Sequence, residues 1–132
     1  MAKRLTLTLL PGLFAVCRLP PETPLPAGWE GGPFASAART GDELSIVCLE
    51  VAAPADARVE RGWRAFKFDG PFAFDATGIL ASVAGPLAAA GVGIFAVSTF
   101  DTDYVMVKEA QLDLAVSSLE AAGHQVIGRE GD

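Results

Sequence analysis

The densest cluster of chemistry-bearing side chains spans residues 98 to 103, Ser-Thr-Phe-Asp-Thr-Asp. Two carboxylates, Asp101 and Asp103, flank one threonine and follow the hydroxyls of Ser98 and Thr99 and the ring of Phe100. Such a segment offers negative charge to a cation, hydroxyls to either sign of charge, and an apolar wall. Upstream, Asp75, Thr77, Gly78 and Ile79 open a helical pattern. The amino end of a helix presents unpaired N–H groups and a partial positive charge, supplied here by Ala76 to Ile79, which suits a carboxylate. A small zwitterion therefore finds a partner for each of its ends if the two segments face one cleft. Glu43, Leu44 and Ser45 occupy the corresponding turn of an earlier hairpin and are candidates to complete the pocket. The same residue types also have an ordinary structural reading, with the Asp and Thr residues as turn formers, Asp75 and Thr77 as helix caps and Phe100 as core.

Other chemistries lack their residues. The sequence holds one histidine, His124, just after a glycine that ends a helix, where a structural or surface role is expected. There is no nucleophile motif, P-loop or dinucleotide fingerprint, so no catalytic residue is assigned and no enzyme is expected. Two carboxylates without a histidine are a poor metal set or acid-base pair, and neither metal nor cofactor is expected. The net charge of −6, from 16 acidic and 10 basic residues, comes with no basic run longer than Lys3-Arg4, which disfavours nucleic acid. Cys17 and Cys48 lie in the apolar runs AVCRL and SIVCLE without CxxC spacing and read as buried, inert thiols.

The elements that must position these groups follow from periodicity. Hydrophobic residues make up 51% of the 132, enough for a real core and too many for a disordered chain. Residues 76 to 100 carry no charge and are long enough to span a bilayer. Gly85-Pro86, Gly91, Gly93 and the acidic flanks Asp75 and Asp101 argue instead for a helix followed by a strand, and no membrane association is expected. Lys3-Arg4 and the apolar run ending at Cys17 imitate a lipoprotein signal, but Leu and Thr alternate as in a strand and Pro11-Gly12 interrupts the run. A reducing, cytoplasmic setting is expected.

Ile79, Leu80, Val83, Leu87 and Ala90 recur at helical spacing, Gly91 ends the helix, and a kink is expected near Gly85-Pro86. Residues 92 to 100 read as a central, buried strand, and Asp101-Thr102-Asp103 as the turn into a second strand over 104 to 108. Leu112, Val116 and Leu119 mark a second helix closed by Gly123, and HQVI a last strand. With a first strand over residues 63 to 68 the order is β-α-β-β-α-β, a split βαβ arrangement with two helices over an antiparallel sheet. Residues 1 to 62 show no long helix: a strand pair is expected around Pro11-Gly12, then a proline-rich connection, then a hairpin turning through Gly41-Asp42. FASAARTGDELSIV shares with IFAVSTFDTDYVMV, 60 residues on, the pattern of strand, acidic turn and alternating strand.

The stretch GPFAFDATGILASVAGPLAAAGVGIFAVSTFDTDYVMVKE resembles the ACT domain, within the paired-ACT subgroup that includes arginine sensors of the CASTOR type. The likeness covers residues 63 to 128 and is carried by FDATGIL, PLAAAGV and STFDTDYVMV. It implies a ferredoxin-like α+β fold over residues 63 to 132, preceded by a degenerate, strand-rich ACT-like half over 1 to 62. It also implies amino-acid binding at a seam between modules, through Thr99, Phe100, Asp103 and the loop from Phe74 to Gly78, and side-by-side pairing of sheets. The expected protein is an amino-acid-binding regulatory module, a homodimer through sheet edges. A ligand-free dimerisation or protein-interaction module is the alternative.

Overall fold

The computed structural model describes residues 4–73 and 76–129. In chain order the elements are β1 (Thr6–Leu9), β2 (Phe14–Leu19), β3 (Ser36–Arg39), β4 (Leu44–Leu49), β5 (Arg58–Phe68), α1 (Ile79–Ala89), β6 (Ile94–Ser98), β7 (Asp103–Lys108), α2 (Leu112–Ala121) and β8 (Gln125–Ile127). The chain divides into two compact units, one made of Met1–Pro11 with Arg64–Asp132, the other of Gly12–Trp63, so that β5 supplies residues to both.

The first unit is a mixed sheet ordered β8-β1-β5-β7-β6 with two helices. β1 lies antiparallel to β5, with Leu7 opposite Phe68 and Leu9 opposite Phe66, and parallel to β8. Because side chains alternate across a strand, Leu7 and Leu9 point into the core while Thr6 and Thr8 face the other way. The core joins them to Phe66, Phe68, Val105, Val107 and Val126 from the sheet and to Val83, Leu87, Ala115, Val116 and Leu119 from the helices. Each such side chain removed from water contributes roughly 1.5–3 kcal/mol before entropy is counted.

The second unit orders its strands β3-β4-β2-β5. Ala15, Cys17 and Leu19 of β2 share a buried face with Leu44, Ile46 and Cys48 of β4, and Trp29, Ala53 and Val59 pack against it. Both thiols are free and buried. Burial pushes the Cys48 thiol up to about 12, with the adjoining Cys17 adding to the rise; burial also raises Cys17, against a hydrogen bond with Cys48 that lowers it. The β3-β4 turn is tied by the Thr40 hydroxyl, which accepts the N–H groups of Asp42 and Glu43 at 3.1 Å each.

The uncharged run of residues 76 to 100 divides into α1 and β6 as its periodicity implies, and no helix among the described residues is long and apolar enough to cross a membrane. Three expectations need correction. The strands flanking Pro11-Gly12 do not pair with each other: β1 is held by β5 and β8, and β2 by β4 and β5. The apolar faces of β1 and β2 go to different cores, which a local hairpin would have kept together. β6 is an edge strand, not a central one, with β7 as its strand neighbour and with Ile94, Ala96 and Ser98 exposed. The central places go to β5, β1 and β7, whose inward residues are fully buried. Helix α1 starts from Gly78 in the left-handed region (φ 76°) without a side-chain cap, so Thr77 does not cap it, and Asp75 lies outside the described residues.

Pro86 sits inside α1, and His124 answers its cost. A proline has no N–H for the carbonyl four residues earlier, which is that of Ser82. His124, 4% exposed, has Nδ1 accepting the Leu5 N–H at 3.0 Å, which places its proton on Nε2. Nε2 then donates to the Ser82 carbonyl at 2.8 Å. The histidine read as structural or surface is structural, and it replaces the missing helix bond.

Candidate ligand-binding cleft

The start of α1 and the β6-β7 turn open onto a common cavity of about 270 Å³ in the first unit. One side is the segment that follows β5 and enters α1, contributing Phe72, Ala73, Ala76 and Ile79; the other is the continuous run Ser98 to Asp103. The volume lies just under the range of about 300–1,000 Å³ usual for small-molecule pockets, the size of a ligand of few heavy atoms.

Local hydrogen bonds shape the acidic side. The β6-β7 register places Ser98 opposite Asp103, and the Ser98 hydroxyl donates to the Asp103 carboxylate at 2.5 Å. Between them, Thr99 and Thr102 close the turn on each other. Thr99 N–H and Oγ1 both donate to the Thr102 carbonyl, at 2.8 and 3.1 Å, and Thr102 N–H donates to Thr99 Oγ1 at 3.3 Å. The Asp101 carbonyl accepts the Phe72 N–H at 2.9 Å, joining the two sides of the cleft. Asp101 and Phe100 are exposed, the latter at 81%.

On the opposite side the Ala76 N–H is occupied by the Ala73 carbonyl at 2.9 Å, so it does not serve as a free donor. The first α-helical bond runs from the Ser82 N–H to the Gly78 carbonyl at 3.0 Å, and the N–H groups before it lie in the open first turn beside Ile79. Among the described residues, two carboxylates and no lysine, arginine or histidine line the cavity. It is thus built for a cationic group at one end, with helix-end N–H groups available to an anionic one.

Of the residues singled out from sequence, Ile79, Ser98, Thr99, Phe100, Asp101 and Asp103 line the cavity. Thr77 and Gly78 adjoin it without lining it, and Asp75 is outside the described residues. Glu43, Leu44 and Ser45 belong to the other unit, where Leu44 is buried in the core and Glu43 closes the β3-β4 turn. Sequence reasoning missed Phe72, Ala73 and Thr102 as lining residues. The Gly70-Pro71 breaker just before Phe72 and the Thr-x-x-Thr spacing of an ST-type turn were the available signals.

Two helices and a sheet, with a cleft where the first helix begins beside a hairpin turn, define a ferredoxin-like α+β domain. The chain carries an ACT domain: the ACT domain model matches residues 58–121, and a second model, for an N-terminal domain, matches residues 12–56. A protein of known crystal structure from Agrobacterium tumefaciens is 48% identical, with a TM-score of 0.91 over 97% of this chain and 96% of its own. Subunit 1 of the cytosolic arginine sensor for mTORC1 from Rattus norvegicus is 39% identical over 59 residues, which are 44% of this chain and 18% of the sensor. Aspartate kinase of Clostridium acetobutylicum shares the fold at 14% identity, with a TM-score of 0.65 over 89% of this chain and 34% of the kinase.

Proposed function

We propose that this protein is a regulatory module that binds a free amino acid in the cleft between α1 and the β6-β7 turn and catalyses no reaction. The observation that carries the reading is that a helix start and an acidic turn, far apart in sequence, line one cavity. In this reading Asp101 and Asp103 receive the ligand's ammonium or side-chain cation, the N–H group of Ile79 at the helix start receives its carboxylate, and Ser98, Thr99 and Phe100 complete the wall. The arginine-sensing relative, matched over part of its length, supports an amino acid as the ligand class. We place the protein in the cytoplasm, as a homodimer through sheet edges, with the degenerate half expected over residues 1–62 as an eroded copy of the ACT module.

The test is a thermal-shift series across the twenty amino acids at millimolar concentration. A ligand at a hundred times its Kd adds about 2.7 kcal/mol to the folded state, an upward shift of several degrees. Asp103→Ala is expected to abolish that shift while leaving the unliganded melting point close to wild type. No stabilisation by any amino acid would remove the proposal. A second reading, a ligand-free dimerisation module, draws on β6, an uncharged edge strand of the kind that pairs with another chain. Native mass spectrometry separates the two, because a copurified small molecule supports the sensor and a clean unliganded dimer supports the rival.

A further inference from the structure

We infer that Thr102 is the positioning residue of this cleft, the group that holds its acidic turn and its aromatic lip together as one wall. The inference rests on the cleft being a ligand site, but the first measurement below does not depend on it. Among the described residues lining the cavity, Thr102 is the one that is buried, at 9% exposure. Its hydroxyl points away from the turn and donates to the carbonyl of Phe68, at the end of β5, at 2.8 Å in a buried setting. Its N–H and carbonyl are both engaged by Thr99. One side chain therefore fastens the β6-β7 turn to the strand from which the opposite lip departs.

A second observation shows how tightly the two parts are apposed. A Cβ added at Gly70 would stand 3.2 Å from the Asp101 carbonyl oxygen, 3.3 Å from the Phe72 nitrogen and 3.3 Å from Thr102 Cβ. Lip and turn thus meet with no spare volume, and the Phe72 N–H bond to Asp101 closes the junction. Holding Asp101, Asp103 and Phe72 in one arrangement before a ligand arrives removes an ordering cost from binding. If the wall is assembled only part of the time, the apparent Kd rises by the inverse of the assembled fraction.

The experiment compares wild type with Thr102→Val, which keeps the shape and deletes the hydroxyl, and Thr102→Ser, which keeps the hydroxyl. Backbone amide exchange is followed by NMR without ligand. Losing the partner of a buried carbonyl is expected to speed exchange at Phe72, Thr99 and Thr102 roughly tenfold in Thr102→Val, with α2 and β1 amides unchanged and Thr102→Ser within about threefold of wild type. Gly70→Ala, which crowds the junction from the other side, is the second variant should Thr102→Val fail to fold, and it should give the same local pattern. An unchanged Phe72 amide, or acceleration spread evenly over the molecule, overturns the inference. Calorimetric titration with L-arginine, a zwitterion with an added cation, then reads the cleft. Affinity is expected to fall about tenfold in Thr102→Val and to recover in Thr102→Ser. Equal L-arginine affinity in wild type and Thr102→Val overturns the positioning role while leaving the ligand reading intact. No L-arginine binding to wild type, together with the local exchange pattern, counts against arginine as the ligand and supports the role of Thr102.

Discussion

If His124 supplies the hydrogen bond that Pro86 withholds, the two residues must be energetically coupled although they lie on different elements. The perturbation that isolates the bond is His124→Asn. The asparagine carbonyl stands near the position of Nδ1 and can still accept the Leu5 N–H, but no group remains near Nε2 to reach the Ser82 carbonyl. Leaving that partly buried carbonyl without a donor costs on the order of 1–2 kcal/mol, or roughly 3–8 °C in melting temperature for a domain of this size. Pro86→Ala restores an N–H four residues after Ser82, which closes the ordinary helical bond. In that background His124→Asn should cost only about 0.5 kcal/mol, the remainder reflecting imperfect packing. The assay is urea unfolding of wild type, both single variants and the double variant, with m-values compared to confirm a common mechanism. A coupling energy of about 1 kcal/mol or more supports the substitution of one bond for another. Additivity within about 0.3–0.5 kcal/mol would refute it and make His124 merely a packed side chain.

Further expectations follow from burial and backbone geometry. Gly128→Ala should destabilise the protein by about 2 kcal/mol or more: φ is +90°, and the new Cβ would lie 2.7 Å from the backbone oxygen of Leu9. Melting temperature reads the effect, and a change of under one degree would contradict it. The raised thiols make stability fall in alkali. Below the unfolded value near 9.0 both states are protonated and the contribution is whole, whereas from there to about 12 the unfolded chain gives up a proton that native Cys48 keeps. The loss is at most about 1.4 kcal/mol per pH unit per thiol; Cys48→Ala should flatten the slope of stability against pH between 9 and 10.5, and an unaltered slope would count against it. Neither thiol should react with Ellman's reagent until the protein unfolds.

How much of this was legible in the sequence depended on the range of the interaction involved. The helix over residues 79 to 90 was readable because Val83 and Leu87 recur at helical spacing and are the residues α1 buries. The acidic turn was readable because Asp101-Thr102-Asp103 is turn chemistry between two alternating strands. Order within the sheet was not. Residues 6 to 9 alternate Thr and Leu, which specifies a half-buried strand but not which neighbours cover it, and the strand lies between β5 and β8 by pairings some 60 and 119 residues long. Likewise β6 is apolar on both faces, which suggested a central strand; only the presence of β1 beside β5 shows that it lies at the edge.

The candidate site divides along the same line. Its acidic turn and its helix start were visible because each is a local choice, a carboxylate in a turn or a glycine before a helix. The device that assembles them was not, because Thr102 reads as one more turn residue until its hydroxyl is seen to reach Phe68, 34 positions earlier. The same holds for His124, whose partners lie 119 and 42 positions away. Both are buried polar side chains with long-range hydrogen bonds to backbone, and a buried polar group is kept only where its partners are supplied. His124 fastens Ser82, the fourth residue of α1, to Leu5, just before β1, and Thr102 fastens the acidic turn to β5. The Thr102 tie lies in the lining of the cleft, so a substitution that breaks it should change the cleft before it unfolds the sheet, whereas one that breaks the His124 tie should be read in stability first.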